Sequence, residues 1–381
     1  MACNCGSDGC SKSNLPFSTV LIVLSGLIFL SFVLSCKQKP DPKSFDQSAM
    51  LTQASTIIQH NYADFNAKAD VFSASVTQFT LNPDAQTLSA ARVAFKSAWL
   101  SWQYCASFEF GPAEQRQLRA QLNTFPTDTS KIAANIAAEI SDLSPANQFS
   151  AKGFPALDFL LFGTDSNAVL SRFISGVDAT LRKNYLNTVT ADVKNLSNAV
   201  NNSWQSSGGN YAATFTTNTG LNSGSSISLL VNQFNFDLEW MKNAQVGIPL
   251  GKKTLGTPLP EKCEAFYSGY SLELISAHLD ALDKIFQGNF SGANGYGLDD
   301  ALADLDAKSN GIALNQLIRD RFVSAKNSLN SVTGILSTAV VSNPAAVEDF
   351  YTQLIQLVIY SKSDMASAMA ILITYQDADG D

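Results

Sequence analysis

"LNPDAQTLSAARVAFKSAWLSWQYCASFEF", residues 81–110, is the stretch on which the fold turns. It opens on a proline turn. Leu88, Ala91, Phe95, Trp99 and Trp102 then recur at three- and four-residue steps. That spacing lines them along one face of an α-helix, which turns once in about 3.6 residues. A half-buried strand would alternate at every second residue, and no such alternation is sustained anywhere in the chain.

The same period runs outward in both directions. Upstream, Leu51, Ile57, Ile58, Tyr62, Phe65, Val71 and Phe72 repeat it. Downstream, residues 127–143 are rich in Ala and Ile, with Asp128 or Thr129 as the N-cap. Residues 165–206 read as one long helix with Val169, Leu170, Phe173, Val177, Leu181, Tyr185 and Leu186 on its apolar side. Further helices are predicted over 227–243, 270–287, 313–332 and 344–373. The fold class is therefore all-α. Residues 206–226 break the pattern with small and polar residues and glycines at 208, 209, 220 and 224. They form either a domain boundary or a long loop. Residues 246–264 are punctuated by Gly and Pro and cannot be one helix. The predicted layout is two helical bundles, about 49–206 and 227–381.

With 381 residues, 45% of them hydrophobic, the chain can bury a large core. Its net charge is −8 and no Lys/Arg cluster stands out, which argues against a nucleic-acid partner. Residues 18–35, "STVLIVLSGLIFLSFVLS", are uncharged and apolar and lead directly into Cys36. This reads as a bacterial lipoprotein signal over 1–35, with the Cys36 thiol taking the lipid. A transmembrane anchor is the alternative. Lys37 in place of an Asp points to the outer membrane, facing either the periplasm or the exterior. Residues 37–48 are a polar, proline-bearing linker. Cys3, Cys5 and Cys10 lack a fourth ligand for zinc and lie in the segment to be removed. Cys105 and Cys263 remain in the mature body, too few for a disulfide framework.

Familiar catalytic signatures are missing. Neither H-E-x-x-H nor G-x-S-x-G occurs. "GANGYG", 292–297, lacks the lysine of a phosphate loop. The tail "DADGD", 377–381, starts like a calcium loop and stops short of the final Glu. There are two histidines, His60 and His278. His278 sits among Ile275, Leu279 and Leu282, as a buried, hydrogen-bonded side chain would. Three acids stand out because their settings are apolar: Glu109 in "SFEFGP", Asp158 in "GFPALDFLLFG" (153–163) and Glu264 in "EKCEAFYSGYS". A buried carboxylate is costly unless paired or hydrogen-bonded. Each alone fits a helix-start cap. The three together point to a shared polar cleft.

Those segments carry a family resemblance. "AFKSAWLSWQYCASFEFGPA" (94–113), "FPTDTSKI" (125–132), "KGFPALDFLLFG" (152–163), "VGIPLGKKTLG" (246–256), "EAFYSGYSLE" (264–273) and "KSDMASAMAILITYQDADGD" (362–381) together resemble the imelysin family of peptidase-like and iron-regulated lipoproteins. The resemblance implies two helical bundles with a site in the cleft between them. The family's G-x-H-x-x-E motif falls on Gly153, Phe154, Pro155 and Asp158. Pro155 replaces the histidine and offers neither a ligand nor a proton, and Asp158 shortens the glutamate. Pro155 suits the first turn of a helix, where its missing N–H costs nothing.

The expected function is accordingly non-catalytic binding of a ligand or metal, linked to iron uptake. Glu109, Gly153, Phe154, Pro155, Asp158, Glu264 and Ser268 are its expected contacts. Glu109, Asp158 and Glu264 are expected to supply hard oxygen ligands for iron or calcium. Envelope uptake proteins are the expected partners, with the membrane reached through Cys36. The alternatives are a peptidase using Glu109 or Asp158 as base, and a structural module that binds a partner protein.

Overall fold

Asp46 starts the first helix by accepting the Ala49 N–H at 2.9 Å. In the computed structural model, which describes residues 43–375, that helix runs over Gln47–Leu81. At 35 residues it is roughly 50 Å long. Pro83 ends the connection, and Asp84 and Thr87 then close a reciprocal capping box on the helix Ala85–Gln103. The signal segment, Cys36 with the first half of its linker, and the acidic tail lie outside the described residues.

The first group of helices is Gln47–Leu81, Ala85–Gln103, Gly153–Phe162 and Ala179–Trp204, packed along one another. The expected apolar stripe is its core: Phe65, Phe72, Phe95, Trp99 and Trp102 are each at most 1% exposed, and Phe154 is buried with them. The second group is Ser226–Trp240, Ser271–Phe286, Leu314–Ser331 and Pro344–Val358. The helices Ser271–Phe286 and Ala85–Gln103 touch, so a single buried cluster runs through both groups. Among the described residues strand is confined to two antiparallel hairpins, pairing Asn289 with Asn294 and Lys308 with Ala313. The all-α expectation holds.

Local expectations differ from the structure in several places. The single helix expected over 165–206 is two, Ser166–Ile174 and Ala179–Trp204. Between them Gly176 turns the chain back, its N–H bonding the Ser171 carbonyl at 3.1 Å. Val177, placed on the apolar side by periodicity, is fully exposed on this turn. The break at 206–226 is not all loop. Tyr211–Thr217 is a short helix whose Phe215 is buried against Trp204, centroids 5.4 Å apart. Finally, the helix Ser226–Trp240 leads into a π-helical turn, Met241–Gly247, and a second such turn, Ile359–Met365, follows Pro344–Val358. Of the residues expected over 127–143, Thr129–Ala137 are helical, with Asp128 as the cap. Cys105 and Cys263 are separate, buried thiols.

Candidate functional site

Gly153 opens the helix Gly153–Phe162 at a φ of +72°. A Cβ there would stand 2.4 Å from the Leu122 carbonyl oxygen, so only glycine lets the two segments close. Pro155 occupies the first turn, as its missing N–H allows. Phe154 turns into the core and stacks on Trp99, centroids 5.4 Å apart and planes within 6°. Expected as ligand contacts, Gly153 and Phe154 are therefore packing residues: one is closed off by backbone, the other fully buried.

Asp158 points across to the second half of the chain. Its two carboxylate oxygens accept the backbone N–H of Tyr267 at 2.9 Å and of Ser268 at 3.0 Å. It is 1% exposed. Burial pushes its carboxyl up to about 7; the bonds from Ser268 and Tyr267 pull it back, and the nearby Glu264 charge adds to the rise. Pro155 and Asp158 line a cavity of about 170 Å³ with Phe125, Pro126, Cys263 and Tyr267. Burial raises the Cys263 thiol to about 12, so it is not a thiolate at neutral pH.

Glu264 is buried at 1% exposure and held by side-chain amides. Gln103 and Asn123 donate to one oxygen at 2.9 and 2.8 Å, and Gln245 donates to the other. Its backbone carbonyl accepts the Ser271 hydroxyl. This clamp anchors the turn 265–269 that delivers the two N–H groups to Asp158.

Glu109 lies elsewhere. It accepts the Arg119 backbone N–H at 3.1 and 3.2 Å and borders a cavity of about 750 Å³ with Arg119, Gln233 and Phe236. Burial raises its carboxyl, opposed by the Arg119 charge. Asp158 and Glu264 are thus neighbours, while Glu109 faces a different chamber. Each carboxylate has N–H groups aimed at its oxygens, where a cation would have to sit. Among the described residues no group of three His, Cys, Asp or Glu is placed to hold a metal ion. The present side chains do not fit a bound iron or calcium at the expected triad.

Sequence reading missed the most heavily charged buried network. Asp237, fully buried, pairs with the Arg119 guanidinium and with His278 Nε2 at 3.0 Å. Burial pushes Asp237 up, but Arg119 and His278 outweigh it and hold the carboxyl below its usual value. Arg119 also donates to the Ala106 carbonyl at 2.6 Å. His278 is buried and hydrogen-bonded, as its apolar neighbours indicated. No local pattern marks Asp237 and Arg119 as partners, because they are 118 residues apart.

The chambers adjoin. Phe125 and Pro126 border both the Asp158 cavity and a third, of about 490 Å³, while Phe236 borders both this third cavity and the Glu109 chamber. The line of cavities runs between the 109–158 segments and the 229–267 segments. These features define an all-helical protein with a chambered cleft.

The chain belongs to the imelysin family, peptidase family M75, whose match covers residues 58–360. Over 116 residues it is 26% identical to iron-regulated protein A of Synechococcus elongatus, a stretch that is 30% of this chain and 32% of that protein. Two solved structures share the fold. One, described as an iron-regulated protein A precursor from Parabacteroides distasonis, matches with a TM-score of 0.70 at 15% identity, over 87% of this chain and 97% of that one. The other, an imelysin-like protein from Psychrobacter arcticum, matches with a TM-score of 0.65 at 17% identity, over 87% and 99%.

Proposed function

We propose that this protein is a lipid-anchored binding protein of the bacterial envelope, with a role in iron uptake. In this reading it holds a small ligand in the chambered cleft and does not cleave peptides. The observation that carries the reading is the run of three adjoining cavities between the two halves of the chain, walled by half-buried aromatic rings. The iron link is supported by the names of the relatives, and the anchor by the apolar segment ending at Cys36.

One observation favours the peptidase alternative. Asp158, with a carboxyl at about 7, has the proton affinity of a general base. Its chemistry is nonetheless blocked. Both oxygens are engaged by N–H groups, Pro155 stands where an imidazole would help, and the buried histidine is committed to Asp237. His60 packs on Phe290, centroids 5.0 Å apart.

Calorimetry on the purified full-length protein, across Fe³⁺, Ca²⁺ and small organic ligands, tests the binding reading. Heat of binding with at least one class is expected, and silence throughout overturns it. Cleavage of peptides that Asp158→Ala abolishes would replace it with the peptidase reading. For the anchor, Cys36→Ala is expected to move the protein out of the membrane fraction and to stop incorporation of labelled palmitate. Unchanged fractionation would sink the lipoprotein assignment.

A further inference from the structure

The cavity of about 490 Å³ is lined by Phe125 and Pro126 on one side and by Phe236, Trp240 and Ile248 on the other. Phe236 and Trp240 stand one helical turn apart on Ser226–Trp240, ring planes within 22° and centroids 6.2 Å apart. Phe125 meets Trp240 edge-on at 6.0 Å. All three rings are only half-buried, whereas Trp99, Trp102 and Trp204 are each at most 1% exposed. Rings left partly bare inside a concave site are the ordinary lining of a small-molecule pocket, and the volume falls within the range of about 300–1,000 Å³ for such pockets.

Charge narrows the choice of ligand. Glu239, Lys253 and Lys262 border the cavity. Glu239 is already paired with Lys362 at 2.8 Å, and the charge the lining offers a ligand is the Lys262 ammonium. A cationic ligand caged by the rings meets a second obstacle. The Arg119 guanidinium already lies 5.4 and 5.5 Å from the centroids of Phe236 and Trp240, using the attraction those rings offer to a cation.

We propose that this chamber binds small aromatic anions, with the flat apolar body against Phe125, Phe236 and Trp240 and the negative group at Lys262. This rests on the reading that the cleft holds a small ligand, and it names the class. The pairing of apolar rings with one lysine also orients the ligand, since only one end can be at Lys262.

The test is calorimetry on the full-length protein with three ring-matched probes: naphthoate, naphthylmethanol and naphthylmethylamine. Naphthoate is expected to bind about tenfold more tightly than the alcohol, with the amine weakest. Lys262→Gln is expected to lower naphthoate affinity about tenfold and to leave the alcohol unchanged. Trp240→Ala is expected to weaken all three, and Trp240→Phe to retain most of the affinity, which separates a lost contact from a damaged fold. An amine that binds as well as naphthoate, or an order unchanged by Lys262→Gln, overturns the proposal. Naphthoate silent while another ligand in the wider panel binds rejects the aromatic anion alone. Silence with every probe rejects the binding reading as well.

Discussion

Asp158 shows how a single side chain couples two distant segments. Its carboxylate would be expensive to bury, and two backbone N–H groups from Tyr267 and Ser268 offset part of that cost. With the folded carboxyl at about 7 against an ordinary 3.8, the folded state holds this proton the more tightly. The stabilisation is complete below the ordinary value and is lost as pH rises through about 7. Urea unfolding between pH 4 and 8 is therefore expected to show a decline that Asp158→Asn flattens, and equal slopes in the two proteins would contradict this origin. Glu264 gives a sharper test. Glu264→Gln keeps the shape but turns N–H groups toward the amide donors of Gln103, Asn123 and Gln245. Each buried donor left unmatched costs about 1–3 kcal/mol, so a loss of that order in urea is expected. The Arg119–Asp237 pair is asymmetric in the same sense. Arg119→Met strands a fully buried carboxylate and is expected to cost about 3–5 kcal/mol, with much of it recovered when Asp237→Leu is added. An additive double variant would mean the pair is not coupled.

At the scale of elements, Gly153 sets the angle at which the Asp158 helix meets Leu118–Leu122. Gly153→Ala brings both a left-handed backbone and a contact with main chain. Gly256→Ala isolates the first effect, since at Gly256 φ is +86° with nothing within 4 Å of the added carbon. Thermal or urea unfolding should show about 1–3 kcal/mol for the backbone strain at Gly256 and a larger loss at Gly153. Equal losses would mean that the segments simply move apart. The turn at Gly176 illustrates the reverse case. Periodicity continued across it, yet hydrogen bonding back to Ser171 ended one helix before the next began.

For the whole molecule, the continuity of the core matters more than the number of bundles. The buried cluster runs without interruption from the first group of helices to the second. Asp158, Glu264 and the Arg119–Asp237–His278 network all bridge segments far apart in the chain. Unfolding is therefore expected to be a single transition. With Trp240→Phe as background, the three fully buried tryptophans report on the first half, and far-ultraviolet circular dichroism reports on both. Coincident midpoints are expected, and separated midpoints would show that the halves are independent.

The sequence by itself determined what depends on neighbours within a turn or two. Period-3.6 repeats specified the helices and the aromatic core, the Asp128–Thr129 pair marked a helix start, and Pro155 was legible as a first-turn residue. "GFPALD" also located the helix that borders the cleft. It did not say what Asp158 does there, because the partners of that carboxylate lie 109 and 110 residues away. Only the tertiary structure separated Glu109 from Asp158 and Glu264, hid Phe154 in the core, and joined Arg119 to Asp237. It also brought Phe125 opposite Phe236 and Trp240. Periodicity is a local property of the backbone, whereas a buried charge or a cavity is defined by whatever the rest of the chain places beside it.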